Sequence, residues 1–191
     1  MDAAGKEATW GSSGHNGIGV KVLGSYNLPC LAYKYMAPGH NSALIDDDKM
    51  FLVYHQRFST GNEGHELRVH QMLMNENGWP CVLPYEYTGE TVADGYKKDE
   101  VSGTYDMIKQ DPNDNTSAVE YNAVALNDDG TLSGYLKGSW EMKDNSIYLS
   151  IKCGTATYQG VICEMKDEAG TDCMAISLIG ENNCSLLGVK Y

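Results

Sequence analysis

The feature that most constrains this chain is a rhythm. Short runs of β-branched and aromatic residues recur along it with Gly, Asn, Asp and Ser clusters between them, and no long stretch carries apolar residues at i, i+3, i+4 and i+7. Strands are therefore expected throughout. Residues 17–27 (GIGVKVLGSYN) read as a short lead-in strand. A four-part unit follows, with strands at 41–45, 50–58 (MFLVYHQRF), 65–74 (HELRVHQMLM) and 79–83 (WPCVL), joined by DDD, STGNEG and NENG. Its size is that of one propeller blade, typically ~40–45 residues. Residues 84–100 are polar and read as a linker. Beyond it lie strand-like runs near 101–109, 117–126, 132–141, 146–152, 156–165, 173–179 and 184–190, separated by NDDG, KDNS, DEAGTD and GENN. That spacing suggests a closed or nearly closed antiparallel barrel. The fold class is thus all-β: an arm and lead-in strand (1–36), a four-stranded propeller-type blade (37–87) and a small antiparallel β-barrel (88–191).

Charge and composition narrow the partners. The net charge of −12 and pI near 4.7 would repel a phosphate backbone or an anionic membrane, so neither nucleic acid nor a membrane is expected as a partner. A neutral polysaccharide would not be repelled. The chain has 13 Tyr and 3 Trp against 2 Phe. Tyrosine is a good strand residue, and it also suits surfaces that stack on sugars. Tyr121, Tyr135, Trp140, Tyr148 and Tyr158, all in the barrel segment, are the candidate carbohydrate contacts. No run of ~18 apolar residues is present, so no transmembrane helix is expected. MDAAGKEATWGSSGHNG lacks a basic segment followed by an apolar one, so no signal peptide is expected. The cysteines Cys30, Cys81, Cys153, Cys163, Cys173 and Cys184 contain no C-x-x-C pair, which argues against a zinc ribbon or a redox motif. One or two disulfides and buried free thiols both remain open.

The histidines sit in the blade-like unit. His55, His65 and His70 on neighbouring strands make a candidate transition-metal site, but Arg57, Arg68, Glu63 and Glu66 lie among them, and a hydrogen-bonded Arg/Glu/His layer is the simpler reading. His40 differs. It stands at the mouth of a strand between Gly39 and Asn41, where backbone can approach a ligand closely. Glycoside hydrolysis needs two carboxylates across the scissile bond, ~5–5.5 Å apart for retention or ~6.5–9.5 Å for inversion. Asp46, Asp47 and Asp48 read as a solvated hairpin tip, and no Asp or Glu stands in a context that marks a general acid or base.

APGHNSA, FLVYHQRF and GHELRVHQMLMNENGWPCVLPYEYTGE resemble the C-terminal blade of glycoside hydrolase family 43 endo-α-1,5-L-arabinanases, which are five-bladed propellers. GVKVLGSYNLP is similar to the segment leading into that blade. GTYDMIKQ, DGTLSG, GSWE, YQGVICEM and SLLGVKY are similar to the small barrel appended to longer bacterial members. The resemblance spans roughly residues 17–191. It implies arabinan, a plant polysaccharide, as substrate and a secreted bacterial setting. It implies that His40, the histidine of PGHNS, reaches a central channel and helps hold calcium. With only His40 matching, calcium is expected to bind weakly or not at all, since Ca²⁺ takes 6–8 oxygen ligands. The family's Asp base, Glu acid and tuning Asp come from earlier blades and have no counterpart here, so no catalytic residue carries over. The expectation is the C-terminal part of an arabinanase-like hydrolase without activity alone. The alternative is a stand-alone arabinan-binding module, and a lone blade would cover itself by self-association, by packing on the barrel or by joining the other blades.

Overall fold

The computed structural model describes residues 19–61, 64–112 and 117–191. Among the described residues, twelve strands fall into two antiparallel assemblies, with one short helix between them. The first is a four-stranded sheet in chain order: β1 (Tyr35–Asp46), β2 (Lys49–Phe58), β3 (His65–Met74) and β4 (Pro80–Val82). The helix α1 (Lys98–Val101) leads into the second assembly, β5 (Gly103–Gln110), β6 (Asn122–Leu126), β7 (Thr131–Gly134), β8 (Gly138–Met142), β9 (Tyr148–Cys153), β10 (Ala156–Lys166), β11 (Asp172–Gly180) and β12 (Ser185–Lys190). These eight form a meander in which β12 returns to pair with β5, so the barrel closes and keeps no free edge.

The first strand of the sheet, expected at 41–45, runs over Tyr35–Asp46, the strand expected at 117–126 is confined to Asn122–Leu126, and two further readings differ from the structure. The run at 132–141 is two strands, because Gly134 and Gly138 both take positive φ (+95° and +151°) and the chain turns between them. A side chain at Gly138 would meet the Lys152 carbonyl oxygen at 1.9 Å, so only glycine allows β8 to start there. The lead-in at 17–27 is not a strand over its described part. It is a coil tied down by single bridges from Tyr26 to Tyr35 and Val119. The N-terminal arm and Glu63 lie outside the described residues.

Burial follows the sequence pattern. In β9 apolar and polar residues alternate, in β6 large apolar residues alternate with alanines, and Val124, Leu126, Leu149 and Ile151 point into the barrel. β11 (DCMAISLIG) and β12 (SLLGVK) are nearly continuous apolar runs, buried on both faces. Their inner residues Ile176, Leu178 and Leu186 fill the barrel. Their outer residues Cys173, Ala175, Leu187 and Val189 join Tyr26, Leu28, Tyr35, Cys81, Leu83 and Tyr85 in a second core. The four-stranded sheet and the barrel therefore share one hydrophobic layer. Polar contacts stitch its rim: Tyr26 donates to the Pro84 carbonyl (2.7 Å), Tyr85 to the Pro29 carbonyl (2.6 Å), and Asn75 to the Gln159 carbonyl (3.0 Å). All six cysteines are free thiols, and burial pushes Cys81, Cys163 and Cys173 up to about 12.

Candidate functional site: the histidine row and the junction cleft

The PGHNSA segment lies in β1, an edge strand with β2 on one side. Pairing runs Met36↔Arg57, Gly39↔His55 and Ser42↔Val53, so each interval spends three steps on β1 (36 to 39, 39 to 42) against two on β2 (57 to 55, 55 to 53). These are two bulges, and a residue with positive φ falls within each: Ala37 (+45°) and His40 (+46°). Regular alternation would send His40 to the face opposite Gly39 and its partner His55. The second bulge turns it back, and the Nδ1 atoms of His40 and His55 lie 3.2 Å apart. Gly39 makes room for this. A Cβ there would stand 3.1 Å from His55 Nε2. The His65 ring continues the row on β3, its centroid 5.0 Å from that of His55. Partial loss of solvent, with the neighbouring His40 and His65 imidazoles and Arg57, holds the His55 imidazole below the usual histidine range.

The expected trio of His55, His65 and His70 is thus split. His70 is fully buried on the other face, where its Nδ1 lies 2.7 Å from the Leu83 carbonyl and its Nε2 3.1 Å from the Tyr54 hydroxyl. A carbonyl only accepts, so Nδ1 carries the proton and Nε2 accepts from Tyr54. Burial lowers His70 to about 4. Among the described residues no group of three or more His, Cys, Asp and Glu is placed to hold a metal. The partner of the His40 ring is another imidazole nitrogen, His55 Nδ1, whereas calcium prefers oxygen donors.

Arg68 does organise a polar layer. Its guanidinium bonds Glu66 (2.9 Å), approaches Glu86 (3.4 Å), donates to the Tyr35 hydroxyl (3.1 Å) and lies over the Phe58 ring (5.0 Å to the centroid). Tyr35 donates in turn to Glu168 (2.7 Å) on the β10–β11 turn of the barrel. Tyr35, Phe58, Glu66, Arg68 and Glu168, with Cys30, the exposed Tyr33 and His65, line a cleft of about 410 Å³ at the sheet–barrel junction. Its carboxylates Glu66 and Glu168 are both engaged, by Arg68 and Tyr35. The sequence showed Arg68 and Glu66 as neighbours, but Tyr33 and Glu168 join them only through the fold.

The candidate sugar contacts separate into groups. Trp140 and Tyr158 are each 3% exposed and belong to the barrel interior. Trp140 donates to the Asn127 carbonyl, and Tyr158 accepts from Asn182. Neither offers an open ring face for stacking. The cause is visible in SWEM and TYQG, where each ring alternates with polar neighbours that point outward. Tyr148 is half-buried in a cleft of about 290 Å³ with Glu76, Glu141 and Lys143. Tyr121 and Tyr135 are exposed. The Tyr135 N–H donates to the Ala123 carbonyl (2.9 Å), extending the β6–β7 ladder, so Tyr135 stands opposite Ala123 and one alternation step from Tyr121 on the outer wall.

Comparison with known proteins matches residues 84–188 to the family model of the C-terminal lipocalin-like domain of glycoside hydrolase family 43. An extracellular endo-α-(1→5)-L-arabinanase from Bacillus subtilis is 34% identical over 178 residues, which cover 90% of this chain and 38% of that protein. A glycoside hydrolase family 43 protein from Bacillus licheniformis superposes on all of this chain with TM-score 0.90 and 30% identity, over 45% of its own length. The endo-1,5-α-L-arabinanase of Thermotoga petrophila does so with TM-score 0.88 and 29% identity, over 44% of its length. The chain therefore spans less than half of each of these relatives.

Proposed function

The chain belongs to the family of C-terminal lipocalin-like domains of glycoside hydrolase family 43, and from that premise we propose that it is the C-terminal portion of an arabinan-degrading hydrolase that has no activity alone. The observation that carries this reading is the state of β1. From His40 to Asp46 every residue of this edge strand is exposed, including Leu44 and Ile45, and Leu67 on β3 is exposed with them. An uncovered apolar edge is a surface that proteins ordinarily pair or protect. The relatives carry more than half of their length beyond the part matched here, and the proposed occupant of the β1 edge is that remaining portion. The carboxylates of the junction cleft, Glu66 and Glu168, are engaged in structural pairs with Arg68 and Tyr35, which supports this reading.

The test is the release of reducing ends from debranched arabinan by this chain alone. No release is expected, and release above the rate of a heat-denatured control would overturn the proposal. A second reading, a stand-alone arabinan-binding module, is favoured by the exposed pair Tyr121 and Tyr135. It predicts retarded migration in gels containing arabinan, lost in the Tyr121→Ala/Tyr135→Ala variant. Unretarded migration of the parent chain would end that reading.

A further inference from the structure

We propose that the cleft at the sheet–barrel junction is a non-catalytic subsite for a neutral pentose oligosaccharide, with Tyr33 as the stacking platform and Glu66 and Glu168 as hydroxyl acceptors. The choice of sugar, an α-1,5-linked arabinose chain, rests on the proposed hydrolase, and the site rests on the cleft itself. Its volume of about 410 Å³ falls within the ~300–1,000 Å³ of small-molecule sites. Its aromatic residues are not equivalent. Tyr35 is 2% exposed and the Arg68 guanidinium lies over the Phe58 ring, whereas Tyr33 is 55% exposed and leaves a ring open to a ligand. The C–H face of a sugar packs on such a ring while its hydroxyls turn to polar neighbours.

Those polar neighbours are held in place without a ligand. The Tyr35 backbone exchanges two 2.9 Å hydrogen bonds with Tyr26, and its hydroxyl accepts from Arg68 and donates to Glu168. Arg68 in turn orients Glu66 at 2.9 Å. Groups fixed in this way lose little freedom on binding. A carboxylate offers about four acceptor sites, so one bond from Arg68 to Glu66, or from Tyr35 to Glu168, leaves capacity for sugar hydroxyls. Hydrogen bonds to an ionised acceptor are among the stronger ones. The Arg68 guanidinium is answered by Glu66 and Glu86, with Glu168 beyond Tyr35, so an anion would meet net negative charge and a neutral polyol would not. Glu66 comes from β3 and Glu168 from the β10–β11 turn, so the subsite exists only where the sheet and the barrel meet. The barrel thereby gains a part in holding the polysaccharide.

The experiment is isothermal titration of the full chain with α-1,5-linked arabinotetraose, with Tyr33→Ala, Glu168→Gln and Tyr121→Ala/Tyr135→Ala as variants and thermal melts to check that each is folded. Glutamine at position 168 still accepts from Tyr35, so Glu168→Gln preserves the junction. The parent chain is expected to bind, and each cleft variant to bind at least ~10-fold more weakly. The Tyr121/Tyr135 variant, altered far from the cleft, is expected within about twofold of the parent. Amide signals of Tyr33, Glu66 and Glu168 are expected to shift on addition of the sugar, and millimolar inorganic phosphate is expected not to compete. No binding at millimolar sugar, unchanged affinity in both cleft variants, shifts confined to the wall around Tyr121 and Tyr135, or displacement by phosphate would each overturn the proposal. A chain that binds through the cleft yet releases reducing ends would sustain the subsite while overturning the claim of no activity alone.

Discussion

Replacing Leu187 by alanine tests whether the sheet and the barrel are one cooperative body. Leu187 is fully buried on the outer face of β12, in the layer that also contains Tyr26, Tyr35, Cys81 and Leu83. Leu→Ala removes three carbons, worth about 2.4 kcal/mol at ~0.8 kcal/mol each. Walls contributed by several strands collapse only in part, and a cavity term raises the total towards ~3 kcal/mol, within the usual ~2–5 kcal/mol. With a urea slope of ~2 kcal/mol/M, the midpoint should fall by about 1.5 M. The readout is thiol labelling with mass spectrometry across a urea series. Cys81 on β4 reports the sheet, and Cys184, packed inside the barrel, reports the barrel. A shared core predicts that both midpoints fall together by the same amount. A shift at Cys184 with none at Cys81 would refute the reasoning, because the barrel would then unfold beneath an independent sheet.

Other consequences follow from single residues. His70 is neutral in the folded state at about 4, against an unfolded value of 6.5, so the unfolded chain takes up the proton first as pH falls. Its contribution to stability is complete above about pH 6.5 and is lost between there and about pH 4. From pH 7 to pH 5 that amounts to about 2 kcal/mol, measurable by urea unfolding and flattened in His70→Gln. Gly160→Ala would place a Cβ 2.0 Å from the Ser177 carbonyl oxygen and 2.5 Å from Leu178 Cα, forcing β10 from β11. Its cost is expected at ~4 kcal/mol or more, read from thermal melts or as loss of soluble protein. In the native chain Cys30 should react first with a thiol reagent, while Cys81, Cys163, Cys173 and Cys184 react on unfolding, and a reductant should leave the melting temperature unchanged.

Much of the fold was legible because strands with one wet face announce themselves by alternation. NAVAL and YLSIK did so, and the long apolar run of β11 marked a strand buried on both sides. The break between β7 and β8 was hidden because GYLKG contains two good strand residues, and only the positive φ of its flanking glycines makes it a turn. The site was less legible. PGHNSA marked His40, but alternation gives no hint that a bulge brings it beside His55. Residue type suggested Trp140 and Tyr158 as sugar contacts, whereas their polar neighbours already pointed them inward. The Arg68 cleft depends on Tyr35 meeting Glu168 across 133 positions of sequence, a pairing that no local pattern encodes.

The measurement closest to the central claim is residue-resolved amide hydrogen exchange of the chain alone. An open β1 edge predicts that amides of β1 not bonded to β2 exchange nearly as fast as loop amides, while β3, β11 and β12 are protected together. Protection along the whole of β1 equal to that of β11 would contradict it. The edge would then be covered within the chain's own assembly, with no place left for a further portion of a hydrolase.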